Sequence, residues 1–367
     1  MFNGAVLVGT VGANMAIAGR RFDIASRILL DLHSLEFGSI ADNYLGAVVM
    51  NEAWLAHRTG DIASRDKLLG EALRRARDER ARVRLRWYTN ALSELLPVAI
   101  AAGIEAETAR ALGREFAVIP EPRGVEDWPW PVKVYTLGRF ELLVDGEIPE
   151  YSRKAPKKVL ALLKAIIAHG GRDVSEQKLI DALWPDEEGD AARRAMVTTL
   201  HRLRKLLGNM KAIRQTGSEL TLDEDTCWID ALAFEHRIDG PEAAPDGQFD
   251  VIRLYQGAFL PQDDAAAWTI PIRERLRSKF IHGIGKLGAS LEQASRHEAA
   301  IELYSRGIHA DPLVEPFYQG LMRCYEKLNR RAEAASTYRR LREILSVILG
   351  VTPSPTSQRL FETLRLN

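Results

Sequence analysis

Residues 191–217 read AARRAMVTTLHRLRKLLGNMKAIRQTG. Seven basic side chains fall in this stretch (Arg193, Arg194, Arg202, Arg204, Lys205, Lys211 and Arg214) and no acidic one. The whole chain carries 50 basic and 50 acidic residues, so the excess is local. Met196, Leu200, Leu203 and Leu207 follow a 4-3-4 spacing and form one apolar stripe on a helix over 191–207. The opposite face carries Arg194, Thr198, His201 and Lys205, with Arg202 beside it, and Arg193 and Arg204 flank the stripe. That pattern predicts a helix packed into a small domain with a basic polar face turned outward.

The flanking sequence fits such a domain. Asp190 is a plausible cap for the helix, and Gly208-Asn209 ends it. Ile213–Thr216 and Glu219–Leu222, joined by Gly217-Ser218, read as a hairpin. Upstream, a helix is expected over 155–168 and a second over 175–184, with Ser175 as N-cap and Pro185 as stop. Before them, Val132-Lys-Val-Tyr-Thr136 and Arg139-Phe-Glu-Leu-Leu-Val144 read as strands, and Asp145-Gly146 as a hairpin turn. Sheet, three helices and terminal hairpin make a winged helix with an extra N-terminal sheet.

A helix of this kind suits the major groove of double-stranded DNA. Arg and Lys donate to guanine O6 and N7, and Thr meets a thymine methyl. Arg214 and Gln215 lie on the hairpin, where they reach the neighbouring backbone or minor groove. Lys154, Lys157 and Lys158 open the first helix of the domain, a position suited to phosphate. A solvated charged face on an ordinary helix has the same composition, and only the three-helix context and the wing argue against it. Trp184 closes the series Leu179, Ile180, Leu183 and reads as core rather than as a stacking platform.

The 367 residues allow two or three domains, and 46% hydrophobic with 27% charged is ordinary for a globular chain. No apolar run reaches the roughly 18 residues of a membrane span. Residues 1–19 lack a basic leading region and a cleavage site, so no signal peptide is expected. Cys227 and Cys324 are far apart and no C-x-x-C pair exists, so neither a disulfide framework nor a zinc site is indicated. No cofactor is expected, and a cytoplasmic, nucleoid-associated setting is.

Three zones separate by pattern. Residues 1–119 are rich in Ala and Leu and read as amphipathic helices. Asp23-Ile-Ala-Ser-Arg27 recurs as Asp61-Ile-Ala-Ser-Arg65, an offset of 38 residues that suits a helical repeat. Gly9, Gly12 and Gly19 lack the Lys-Ser/Thr of a phosphate loop and read as helix-packing glycines. A Pro/Trp-rich linker, packed partly through Trp128 and Trp130, is expected over 120–131, then the winged helix over 132–240. Residues 241–367 are helical again. There Ala300-Ile-Glu-Leu-Tyr-Ser-Arg306 aligns with Ala334-Ala-Ser-Thr-Tyr-Arg-Arg340 at the tetratricopeptide offset of 34. The expected fold is mainly α with a small α+β domain, helical tetratricopeptide-like repeats flanking a winged helix.

Several motifs carry a family resemblance: Leu137-Gly-Arg-Phe140, Leu183-Trp-Pro185, and the run from Ala191 to Gly208. With them the central zone resembles the winged helix of response-regulator effectors, and more specifically the antibiotic regulatory protein (SARP-type) family. Tyr255-Gln-Gly-Ala-Phe-Leu-Pro261, Trp268, Asp311-Pro-Leu-Val-Glu315 and Leu349-Gly-Val-Thr-Pro-Ser354 resemble the bacterial transcriptional activator domain that follows it. The resemblance covers about residue 131 to the end. It implies a transcription activator that binds direct repeats near a promoter and contacts RNA polymerase. Such regulators commonly begin with the winged helix, whereas here about 120 helical residues precede it. These are similar to the helical arm of large ATP-dependent (STAND-class) regulators, which suggests a fragment or a shortened relative.

The leading expectation is a sequence-specific DNA-binding activator that contacts protein through its helical zones, RNA polymerase or a second copy, with no membrane partner. A helical-repeat scaffold whose winged helix binds no DNA is the competing one. An enzyme is not expected, because no Ser/His/Asp, Cys/His or metal-ligand constellation stands at informative spacing. Asp186, Glu187, Glu188 and Asp190 read as helix N-terminal charges.

Overall fold

The computed structural model describes residues 2–33, 42–121, 124–150, 156–187, 189–238, 245–263 and 265–366. The chain divides into two compact units, Met1–Trp130 and Pro131–Asn367.

The first unit holds, among the described residues, α1 (Phe2–Ala18), α2 (Phe22–His33), α3 (Asp42–Thr59), α4 (Ile62–Arg75), α5 (Glu79–Leu85), α6 (Thr89–Ala101) and α7 (Ala106–Glu115). Helix α1 packs on α2 and α3 on α4. The repeated pentapeptide opens the second helix of each pair. Asp23 sits in the first turn of α2, and Asp61 caps α4 by accepting from the Ser64 N–H at 3.1 Å. A Cβ on Gly9 would come within 2.7 Å of Leu32, so this glycine lets α1 and α2 touch. A buried polar chain crosses the unit. Tyr88 Oη donates to Thr10 Oγ1 (2.7 Å), Asn51 Nδ2 to the Thr10 carbonyl (3.1 Å) and Asn14 Nδ2 to Asn51 Oδ1 (2.9 Å). These bonds fix the register of α1, α3 and the start of α6.

The Pro/Trp-rich stretch packs through its tryptophans. Trp128 and Trp130 are buried, and the Trp128 ring lies against Gly113 of α7. The Glu121 N–H donates to the Ser93 carbonyl at 2.8 Å. This segment is part of the first unit.

The second unit begins with β1 (Val132–Tyr135) and β2 (Glu141–Val144), followed by α8 (Lys157–Ala168), β3 (Val174–Ser175), α9 (Glu176–Leu183) and α10 (Gly189–Leu206). Then come β4 (Ile213–Thr216), β5 (Glu219–Leu222), β6 (Cys227–Ile229), α11 (Asp230–Ile238) and α12 (Pro245–Leu254). The rest is helical: α13 (Ile270–Gln293), α14 (His297–Ala310), α15 (Glu315–Lys327), α16 (Arg331–Leu349) and α17 (Pro355–Leu366). Two three-stranded sheets form, ordered β2-β1-β6 and β3-β5-β4. Strand β1 runs antiparallel to β2 (Val132↔Val144) and parallel to β6 (Val132↔Cys227). Asp145 and Gly146 both have positive φ, as a tight two-residue hairpin turn requires.

Several expected boundaries shift for local reasons. Thr136 leaves β1 because its N–H and hydroxyl both donate to the Asp230 carboxylate. Arg139 and Phe140 precede β2 because the chain kinks at Gly138 (φ 84°). Ser175 makes no capping hydrogen bond with its side chain. It belongs to β3, paired with Glu219, and the Glu176 N–H goes to the Ser218 carbonyl at 2.9 Å instead. Asp190 is not the cap of α10, which already begins at Gly189. Strands β3 and β6 are too short to leave a pattern in the sequence.

The winged helix and the helices after it share one unit, where the sequence suggests separate domains. Leu137 bridges Phe259, the Gly138 N–H donates to the Ala258 carbonyl (2.9 Å) and the Leu260 N–H to the Thr136 carbonyl (2.8 Å). A Cβ on Gly138 would sit 3.1 Å from the Gln256 backbone, so glycine permits this approach. Arg273 donates to the Phe259 and Leu260 carbonyls, both at 3.0 Å, and Lys164 pairs with Asp263 at 2.7 Å. Beyond the stitch, α13 to α17 pack in order, with α17 returning onto α15 and α16. The aligned tyrosines of the 34-residue offset, Tyr304 and Tyr338, are both buried.

Met196, Leu200, Leu203 and Leu207 are all buried, and α10 packs on α8 and α9. Leu203→Ala should therefore lower the stability of the second unit by about 3 kcal/mol, through lost transfer energy and a residual cavity. Thr198→Ala, on the exposed face, should leave it nearly unchanged. Chemical denaturation of the two variants checks the order, and a reversal would mean that the buried face is misassigned.

Candidate nucleic-acid interface

Helix α10 is fixed by its buried stripe, so its remaining surface is set. Arg194, Val197, Thr198, His201, Arg202 and Lys205 are exposed and follow one another at helical spacing along a single strip, with Arg193 at its edge. Arg193, Arg194, His201, Arg202 and Lys205 make no ion pair or side-chain hydrogen bond among the described residues. Four cations and an imidazole without acceptors among the described residues remain open to an external anion. Thr198 Oγ1 donates to the Arg194 carbonyl at 2.9 Å, which fixes its rotamer and turns its methyl and lone pairs outward. Val197 is 59% exposed in the middle of this strip. It is not among the candidate residues, although its position three residues after Arg194 places it there on a helical wheel. An exposed valine among cations can pack on a thymine methyl.

The other candidate residues divide. Arg204 Nε and Nη2 both donate to the Ile213 carbonyl, at 3.1 and 2.9 Å, and so tie α10 to the start of β4. Lys158 Nζ donates to the Leu183 carbonyl and lies 5.1 Å from the centroid of the buried Trp184 ring. It closes the end of α9, although the residue itself is exposed. Gln215 Nε2 donates to Glu176 Oε1 at 2.6 Å, holding the wing to α9. Arg214 keeps only a long contact to Asp223, 3.4 Å, and its side chain is 63% exposed. Lys157 is exposed at the first position of α8. Lys154 and Glu188 lie outside the described residues. Lys211, outside the candidate set, is exposed in the turn after α10 and extends the basic strip toward the wing.

The wing is β4 and β5 joined at Gly217-Ser218, with Gly217 in the left-handed region (φ 59°). Arg214, Gln215, Thr216 and Ser218 are exposed along it. The pairing of β5 with β3 sets the wing against α9. Helix strip and wing therefore form one rigid surface. Its charge is uneven, because Asp186, Glu187 and Asp190 are exposed at the N-terminal end of α10.

Nothing in this surface suggests covalent chemistry. Among the described residues no group of three or more His, Cys, Asp or Glu could hold a metal ion. Burial pushes the Cys227 thiol up to about 12 and the Cys324 thiol up to about 11, far from a reactive thiolate. Among the described residues no helix is long and apolar enough to cross a membrane.

The chain is similar to known regulators. Residues 234–365 match the family model of the bacterial transcriptional activator domain. The transcriptional regulatory protein EmbR of Mycobacterium tuberculosis is 26% identical over 247 residues, covering 62% of this chain and 61% of EmbR. The regulatory protein AfsR of Streptomyces coelicolor is 29% identical over 212 residues, 54% of this chain and 21% of AfsR. The transcriptional regulatory protein MoaR1 of M. tuberculosis is 24% identical over 251 residues, 63% of this chain and 78% of MoaR1. The chain thus spans about three-fifths of EmbR and about one-fifth of AfsR. A solved structure of M. tuberculosis EmbR in complex with a low-affinity phosphopeptide aligns with a TM-score of 0.48 and 22% identity over 65% of each chain.

Proposed function

We propose that this chain, a SARP-type transcriptional regulator, reads double-stranded DNA by laying the strip from Arg194 to Lys205 in the major groove and setting its wing on the adjacent backbone. The observation that carries the reading is the run of exposed, unpartnered cations on α10, opposite a fully buried stripe. Arg194, Arg202 and Lys205 meet base edges, and Val197 and Thr198 meet apolar base surface. Arg193, Lys157, Lys211 and Arg214 meet phosphate. Arg204 and Lys158 position α10 and α9 and touch no DNA. The carboxylates at the start of α10 repel phosphate, so the groove contact begins at Arg193 and runs toward the C-terminal end of the helix. The helical repeats serve as protein-binding surfaces, with RNA polymerase or a second copy of the chain as partners.

Selection of bound sequences from random duplexes with the purified chain tests the reading and yields the site. A single enriched motif supports it, and no enrichment overturns it. On the selected site, log affinity should fall linearly with log salt concentration, at about −0.9 per phosphate contacted. Lys157→Ala should flatten that slope by about one contact and weaken all sequences alike. Lys158→Ala should leave the slope unchanged, because its ammonium is already held by Leu183. An equal effect of the two, measured by fluorescence anisotropy over a salt series, would overturn this division.

A further inference from the structure

We propose that the activator half of the second unit binds a small acidic molecule, bearing a phosphate or carboxylate group, in a cavity between the end of α12 and the C-terminal half of α14. The inference goes beyond DNA reading and does not depend on it. The cavity measures about 300 Å³ and is lined by Tyr255, Gln256, Ser305, Arg306, His309 and Ala310. That lies at the lower end of the range for small-molecule sites, roughly 300–1,000 Å³, and admits a monophosphate or a short dicarboxylate rather than a dinucleotide.

The central observation is Arg306. Its Nη2 donates to the Arg253 carbonyl at 3.0 Å, which holds the guanidinium in place. Its Nε is buried and has no acceptor among the described residues. A buried charged donor without a partner is costly, and an anionic oxygen is the partner that relieves it most. A second cation stands close by. Among the described residues Arg253 is opposed by Asp250 at 3.8 Å and Glu302 at 4.0 Å, long contacts with exposed carboxylates. Burial, and then the nearby Arg253 charge, hold the Arg306 guanidinium below its usual range. Both carboxylates are exposed, and only Glu302 also acts on Arg306.

The remaining lining supplies recognition. Ser305 and His309 sit one turn apart on the exposed side of α14 and offer a hydroxyl and a ring N–H at the mouth. Gln256 is anchored by its Nε2 to the Arg253 carbonyl at 2.6 Å. Tyr255 is stacked on Phe280 at a centroid distance of 4.1 Å, which makes it a rigid wall. An anion held by Arg306 and flanked by these groups bridges α12 to α14.

Calorimetric titration of the full chain with inorganic phosphate, adenosine monophosphate and succinate, with putrescine as a cationic control, tests the site. At least one of the three anions should bind saturably at one site, and putrescine should not. Phosphate against succinate tells which acid group is preferred, and the nucleotide against phosphate tells whether an attached ring fits. Arg306→Gln should weaken binding by about tenfold or more, the loss of a charge-assisted contact. Because Arg306 also braces α12, Ser305→Asp is the second variant. It leaves that brace intact, places a negative charge at the mouth, and should weaken binding by a similar factor with an unchanged melting temperature. Substituting Arg194, Arg202 and Lys205 on α10 should not alter it. Absence of anion binding, weak binding that survives both cavity variants (an adventitious ion only), or binding lost with the α10 cations would each overturn the proposal.

Discussion

Replacing Arg194, Arg202 and Lys205 together by alanine should lower affinity for the selected DNA site by about a thousandfold. Each good base-edge contact is worth about 1–3 kcal/mol, and three near the lower end sum to about 4 kcal/mol, or three decades in the dissociation constant. All three side chains are exposed and without partners among the described residues, so the substitutions remove no internal interaction and the melting temperature should hold. On random duplex the loss should be smaller, because only the charge contribution disappears there. Single variants should rank below the triple, and Val197→Asp should weaken binding by placing a carboxylate on the groove-facing strip. Equal loss on specific and random DNA would move these residues to the phosphate backbone. Unchanged affinity would remove α10 from the interface.

Asp230→Ala should destabilise the second unit by about 5 kcal/mol, the largest single-residue effect expected in it. The fully buried carboxylate accepts from the Thr136 N–H (2.8 Å), Thr136 Oγ1 (2.6 Å), the Leu137 N–H (2.9 Å) and the Ala231 N–H (2.7 Å). Its removal leaves three buried amides unsatisfied at about 1–3 kcal/mol each. Burial outweighs these donors and pushes the carboxyl up to about 6 from an ordinary 3.8. The folded state therefore holds a proton more tightly than the unfolded chain. The stability linked to that proton is fully present below pH 3.8 and is lost as the pH rises through 6. The penalty of Asp230→Ala should accordingly be larger at pH 4.5 than at pH 7.5. Denaturant titrations of both proteins at the two values check this, and a penalty that grows with pH would show that the four donors win over burial.

Some of this molecule is legible in its sequence, and the limit is physical. Helix α10 can be read because its buried stripe and its charges obey one local period. The repeated pentapeptide marks two helix starts for the same reason. What a local period cannot record is a partner far along the chain. Thr136 has β propensity, yet it leaves its strand for Asp230, 94 residues away. Ser175 is a good capping residue by type, but the Ser218 carbonyl takes its place. Lys158 and Arg204 read as free cations because their acceptors are backbone carbonyls, of Leu183 and Ile213, which leave no trace in composition. Arg194 and Lys205 read the same way in sequence, and it is the hydrogen bonds to backbone carbonyls that separate the four.

The backbone bridge between Leu137 and Phe259 has a consequence for promoter geometry. Because that bridge and the Lys164–Asp263 pair tie reader to activator helices, a recognition helix seated in the groove sets the compass bearing of α13 to α17 around the duplex axis. On the DNA reading, face matters as much as distance. Sliding the operator by half a helical turn, about 5 base pairs, carries those helices to the far side of the DNA, and a full turn of about 10.5 brings them back. The protein then behaves as a protractor as well as a tether, and activation becomes a periodic function of operator position.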